Sequence, residues 1–329
     1  MKKNLKYNAL WLLFAVVIYG LIYLLYFTGV ITPFTEYTLI MIGINIILAL
    51  GLNLIIGFAG QFSLGHAGFM AIGAYSASIL SIKFPTMGGF FLGILVGMVI
   101  AGIIALVVGL PTLRLKGDYL AIATLGISEI IRIVIINMGT LTNGPAGLFG
   151  IPPMVNWPLI FGFVAVVSLV IINYIRSGAG RATQAIREDE IAAESMGVNT
   201  TKYKVIAFII GAVTASVAGA LYASYIQTIT PKDFGFMKSI DILIIVVFGG
   251  IGSVSGTFVA AIVLGILNML LQDAGALRMI IYALALIVIM IYKPGGLLGT
   301  WEFSMKGFVT RVNKKEETAD VSTKREKSN

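Results

Sequence analysis

The sequence predicts an all-α fold: a polytopic membrane bundle of about ten transmembrane helices with Gly-rich breaks and both termini cytoplasmic. Three observations carry this. The 329-residue chain is 58% hydrophobic and only 12% charged, with mean hydropathy +0.97. Soluble domains hold about 25% charged residues, so this chain needs the bilayer as its solvent. Apolar runs near the roughly 20 residues that cross hydrocarbon recur along its length. The basic residues gather at the N-terminus, in an island at 176–204 and in the C-terminal tail. Such clustering encodes membrane orientation, so the net charge of +8 does not point to nucleic acid. The absence of cysteine excludes disulfides and thiol chemistry.

Taken in order, the first apolar run is 9–27, preceded by Lys2, Lys3 and Lys6. It is longer than the about 7–15 residues of a cleaved signal, and Tyr26-Phe27-Thr28 is a poor cleavage site, so it reads as a retained span. Spans follow at 37–56, 66–82, 88–110, 119–136, 157–175 and 205–226. A short run at 239–250 and further runs at 258–271 and 276–291 complete the set. With the N-terminal lysines inside, Arg114, Lys116, the island and the tail also fall inside, and the Gly/Pro-rich loop 137–156 falls outside. Residues 1–300 read as one membrane domain, and 301–329 as a polar, disordered cytoplasmic tail.

Small residues recur at every fourth position in two spans: Gly89, Gly93, Gly97, Ala101, Ala105 and Gly109, then Ala207, Gly211, Ala215, Gly219 and Ala223. Such stripes let helix backbones approach closely in lipid. A sliding surface is the alternative reading. The segment 58–64 also echoes 248–254, both Gly-rich and both flanked by apolar runs. Broken backbone at membrane depth must be buried in protein or face a water-filled cavity, and paired breaks point to a substrate path. Two ordinary glycine turns are the plainer reading. The path candidates are Asn53, Gly60, Gln61, Ser63, Gly65, His66, Glu129, Gly250 and Ser253.

Catalytic motifs are scarce. No G-x-x-x-x-G-K-[ST] occurs, so the chain has no P-loop. One histidine and no cysteine do not supply the nitrogen and sulfur ligands of a zinc site, and no cofactor is expected in this chain. Ser63 and His66 could suggest an intramembrane hydrolase, but the preferred reading is a polar residue bonding broken backbone, with a gate or ligand role between the two. Glu129 and Arg132 share a helix face and can pair. An ion-coupled secondary transporter would need paired intramembrane acids, and Glu129 reads as the sole good candidate.

The island holds nine charged residues between stretches, 133–175 and 205–231, that have none. As one helix over 181–196, it places Ala182, Ala185, Ile186, Ala192, Ala193 and Met196 on one stripe, with only Asp189 polar among them. Arg181, Arg187, Glu188, Glu190 and Glu194 lie elsewhere, and Gly197 supplies a stop. Five basic and four acidic residues do not suit a membrane-surface helix, which favours a basic polar face. The small-residue stripe suits docking into a shallow groove of a cytoplasmic protein.

These residues resemble the cytoplasmic coupling segment of ABC importer permeases. The run is Gly180-Arg181-Ala182 and then Ala185-Ile186-Arg187-Glu188-Asp189-Glu190-Ile191-Ala192-Ala193-Glu194-Ser195-Met196-Gly197. The resemblance is to the branched-chain amino acid family, LivM-type. It extends through Gly57-Phe58-Ala59-Gly60-Gln61-Phe62-Ser63-Leu64-Gly65-His66-Ala67, Gly117-Asp118-Tyr119-Leu120, Leu141-Thr142-Asn143-Gly144-Pro145 and Lys293-Pro294-Gly295-Gly296-Leu297-Leu298-Gly299. One departure stands out: Ile191 sits where the wider E-A-A-x-x-x-G signature has Glu. The resemblance implies a bacterial cytoplasmic-membrane permease for branched-chain amino acids, or for urea and short amides. It implies a second related permease, two ABC ATPases that hold ATP and Mg, and an extracytoplasmic binding protein.

Overall fold

The computed structural model describes Gly20, residues 32–115 and 117–271, and positions 280, 283–284, 287, 291–293 and 295–299. The expected span 9–27 and the tail lie outside the described residues, as does most of 276–291. The fold below is that of the compact unit Pro33–Trp301.

Among the described residues the fold is all-α apart from one two-stranded ribbon. Helix α1 (Pro33–Asn53) runs on into a π-helical turn, Leu54–Phe58. Then come α2 (His66–Lys83), α3 (Met87–Thr112), α4 (Asp118–Asn137) and α5 (Trp157–Arg176). Two polar helices, α6 (Gly178–Glu188) and α7 (Glu190–Ser195), lead to the long α8 (Thr200–Ile226). A bent pair, α9 (Phe236–Gly249) and α10 (Val254–Leu270), follows. Strands β1 (Leu148–Phe149) and β2 (Thr228–Ile229) pair antiparallel, Leu148 opposite Ile229. That ribbon ties the connection before α5 to the one after α8. The opposite ends of α5 and α8 are joined through α6 and α7.

Among the described residues, five helices are long and apolar enough to cross a membrane: Pro33–Phe58, α3, α4, α5 and α8. The bent pair would make six. Three expected spans differ from their sequence reading. Helix α2 falls short of that apolar test because it carries His66, Ser76, Ser78, Ser81 and Lys83. It lies inside the bundle against α3 and α8, where protein replaces lipid as its solvent, and Ser78 bonds back to the Ala74 carbonyl at 2.7 Å. The runs at 239–250 and 258–271 are halves of a hairpin bent by 119°. At 14 residues, α9 reaches only about 21 Å, short of the about 30 Å hydrocarbon core.

Both small-residue stripes pack helices. The buried residues of α3 are its whole stripe plus Phe90 and Ile94, while Leu95, Ile103 and Val107 point outward. Every member of the α8 stripe is buried. A Cβ on Gly73 of α2 would overlap the Ser216 carbonyl, and one on Gly219 the Met70 carbonyl, so the two helices touch backbone to backbone. Below this contact Phe69 meets Phe208 edge to face at 5.6 Å.

Candidate functional site

The charged island is two helices, which corrects the single helix read from sequence. Ser177 caps α6, its Oγ accepting from Gly180 N–H at 3.1 Å. Asp189 leaves helical geometry (φ −154°, ψ 109°) and caps α7, accepting from the N–H groups of Ile191 (2.9 Å) and Ala192 (3.0 Å). The one polar residue on the expected apolar stripe is thus the cap that breaks it. Gly197, at φ +83°, stops α7 as expected.

The break redistributes the faces. Gly180, Thr183, Ile186 and Ala193 turn into the protein. Arg181, Ala185, Arg187, Glu188, Asp189, Ala192, Glu194, Met196 and Gly197 are exposed. Glu190 pairs with Lys204 of α8. Ile191 and Met196 are 75% and 85% exposed, an apolar tip unusual on a segment so polar. Ala193, by contrast, belongs to the segment's own packing and not to its open face.

Arg187 reaches from α6 into the bundle. Its guanidinium donates to the Gly57 carbonyl at 2.7 Å, and Glu188 holds its other edge. Gly57 lies in the π-helical turn, and Gly252, in the α9–α10 bend, sits against both Gly57 and the Arg187 guanidinium. A Cβ on Gly57 would overlap the Gly252 backbone. The two echoing glycine segments therefore meet.

Asn53 stitches them. Its Oδ1 accepts from Gly252 N–H (2.9 Å), and its Nδ2 donates to the Ser253 carbonyl (2.9 Å) and to Thr257 Oγ1 (2.7 Å). Ser253 Oγ in turn caps α10, accepting from Gly256 N–H at 2.9 Å. The closing segment completes the joint: Leu297 N–H donates to the Phe248 carbonyl at 2.7 Å, and Gly295, Gly296 and Gly299 crowd Gly250. One arginine of the polar segment thus touches a joint shared by α1, α9 and α10.

Most of the path candidates lie at or near this joint, inside the chain. Asn53, Gln61, Ser63, His66 and Ser253 are at most 3% exposed, and Gly65 and Gly250 are buried. Gly60 is exposed beside Arg187. Ser63 Oγ accepts from Gly65 N–H, and neither ring nitrogen of His66 bonds to it, so no Ser–His dyad forms. The chain from Gln61 to His66 is instead sewn to its neighbours. Leu64 N–H donates to Thr124 Oγ1 (3.0 Å) and Ala67 N–H to Ser239 Oγ (3.1 Å). Glu129 stands apart on α4, closed on Arg132 at 2.7 Å.

Sequence reasoning missed a second charge pair. Lys238 and Asp241 lie on α9, and Asp241 falls within the run read as a span, so Glu129 is not the sole intramembrane acid candidate. The signal was present: the same three-residue separation of opposite charges used to pick out Glu129 and Arg132. Among the described residues, no group of three or more His, Cys, Asp or Glu could hold a metal ion.

Long apolar helices, packed by small-residue stripes and carrying a polar segment wired into a glycine joint, define a multi-pass membrane protein. A family model described as branched-chain amino acid transport system / permease component matches residues 34–292, and the chain belongs to that family. It is 35% identical to the high-affinity branched-chain amino acid transport system permease protein LivM of Salmonella typhimurium, covering 70% of this chain and 62% of that protein. LivM of Escherichia coli (strain K12) is 36% identical with the same coverage. LivH of that organism is 34% identical over 43% of this chain and 46% of its own length. The chain thus spans 62% of the LivM relatives' length. A solved structure, PsaBC from Streptococcus pneumoniae in complex with Fab, covers 79% of this chain and 91% of that one at 17% identity and TM-score 0.44, too loose a likeness to argue from.

Proposed function

We propose that this chain is a permease subunit of an ATP-binding-cassette importer for branched-chain amino acids in a bacterial cytoplasmic membrane. Family membership and the likeness to LivM support the substrate class. The observation that carries the mechanism is the Arg187 bond to Gly57. Partner ATPases, which hold ATP and Mg, dock on the exposed tip of α6 and α7: Ala185, Ile191, Ala192 and Met196. When they close, α6 moves, and Arg187 passes the displacement to Gly57 and Gly252. The π-helical turn and the bend are the hinge points, since both depart from the regular helical hydrogen-bond ladder and glycine tolerates the backbone angles a hinge needs. Helices α1 and α9 then re-aim, and access alternates between the two sides.

In this reading the buried candidates Asn53, Gln61, Ser63, Gly65, His66, Gly250 and Ser253, together with the exposed Gly60, form the transmitting joint rather than the wall of the path. The path itself lies against a second, LivH-like permease. The loop 137–156, fixed by β1 to β2, faces outward and receives a binding protein. Both termini lie in the cytoplasm, which an even number of spans allows. The Glu129–Arg132 pair, closed on itself, offers no free acid for ion coupling on α4.

The test is reconstitution of the complete importer in proteoliposomes with labelled leucine. ATP-dependent leucine uptake is expected, and its absence overturns the substrate assignment. Met196→Arg is expected to lose ATPase co-purification and at least about tenfold of the uptake, because burying an unpaired charge at an apolar contact costs on the order of several kcal/mol. Normal assembly and uptake in that variant overturn the docking face.

A further inference from the structure

Helices α4 and α9 each carry an opposite-charge pair three residues apart, and the two behave oppositely. On α4, Glu129 and Arg132 close into an ion pair at 2.7 Å. On α9, Lys238 and Asp241 attract one another, yet among the described residues neither makes an ion pair within 4.0 Å. Lys238 is half-buried with its ammonium over the Tyr222 ring, 5.7 Å from the centroid. Asp241 is exposed. The nearby acid Asp233 also attracts Lys238, and its Oδ2 accepts from both the N–H (2.7 Å) and the hydroxyl (3.1 Å) of Thr230. Asp241 is the exposed carboxylate on the same helix as Lys238, three residues on.

Ser239 and Ile242 turn the other face of α9 into the core, with Ser239 bonded to Ala67 N–H. Tyr222 and Tyr75 both stand edge-on to the buried Phe234, forming an aromatic floor. The Tyr75 hydroxyl is buried with no hydrogen-bond partner among the described residues. Met237 is 72% exposed and Phe236 38%, an apolar flank beside the charges. Open charges on a membrane helix belong against water or a ligand, not lipid.

We infer that Lys238 and Asp241 form a transient site for an α-amino acid zwitterion, Lys238 taking the carboxylate and Asp241 the ammonium. Helical neighbours three residues apart stand about 5–6 Å between Cβ atoms, a separation that suits two opposite charges carried on one carbon. Met237 and Phe236 take the branched apolar side chain, Met being suited to irregular aliphatic shapes. The site sits on the first turns of the helix whose other end forms the Arg187 joint, so one rigid element links occupant and drive. This inference rests on the amino-acid importer reading.

The test uses the wild-type complex of both permeases and ATPases in phosphatidylcholine nanodiscs, without the binding protein. Equilibrium binding of labelled leucine is competed with leucinamide, which lacks the carboxylate, and with 4-methylpentanoate, which lacks the ammonium. The wild type is expected to prefer leucine to both. Lys238→Gln is expected to weaken leucine about tenfold and erase its advantage over leucinamide alone; Asp241→Asn is expected to erase its advantage over 4-methylpentanoate alone. Equal weakening of all three ligands, unchanged binding, no leucine binding by the wild type, or release of the second permease by either variant overturns the site. Leucine uptake by the complete wild-type importer reports on the parent reading separately: uptake together with any of those results sinks the site and leaves the importer standing.

Discussion

Arg187 is the residue on which the transmission argument turns. In sequence it is one charge among nine in the island, with nothing to separate it from Arg181. The fold brings it 130 residues back along the chain to the Gly57 carbonyl. A carbonyl in a π-helical turn is freed from the regular ladder, and a guanidinium satisfies it with a charge-assisted bond. Arg187→Gln is expected to leave ATPase co-purification intact while leucine moved per ATP hydrolysed falls at least about tenfold. A ratio equal to wild type would remove Arg187 from the transmission. Asn53 shows the same limit on sequence reading. A lone Asn in an apolar helix marks itself as a question, but its three partners lie about 200 positions away.

Helices were the most legible level. The small-residue stripes on α3 and α8 name the packed faces correctly, because in lipid close backbone approach, not apolarity, distinguishes inside from outside. Gly219→Leu, in the α8 stripe, is expected to destabilise the bundle by more than the about 1–3 kcal/mol of ordinary overpacking, since it strikes the Met70 backbone. Leu95→Ala, on an outward position 62% exposed, should leave the melting temperature nearly unchanged. Thermal unfolding in detergent compares the two; equal melting temperatures would refute the stripe as a contact. The polar helices were half legible. Asp189 stood out as the single polar residue on the apolar stripe, and that irregularity was the sign of a capped break.

At the scale of the molecule, orientation follows from the distribution of charge, and the fold adds a constraint. The β1–β2 ribbon and the α6–α7 segment sit at opposite ends of α5 and α8. The proposed topology puts the ribbon outside and the polar segment inside. Because the chain has no cysteine, single cysteines report cleanly. Phe149→Cys, 57% exposed, is expected to react with an impermeant maleimide on intact cells, and Met196→Cys only on inverted vesicles. The reverse pattern would invert the orientation.

Composition and periodicity by themselves determined the solvent, the helical class, the packing stripes and the existence of a polar segment facing water. Those properties are local: each depends on residues within a few turns of one another. Only the tertiary structure decided that the two glycine breaks are one joint, that Arg187 enters it, and that Lys238 and Asp241 stay open while Glu129 and Arg132 close. Each of these depends on which backbones are brought together across 100 or more residues or on what surrounds a pair, and spacing along the chain carries neither.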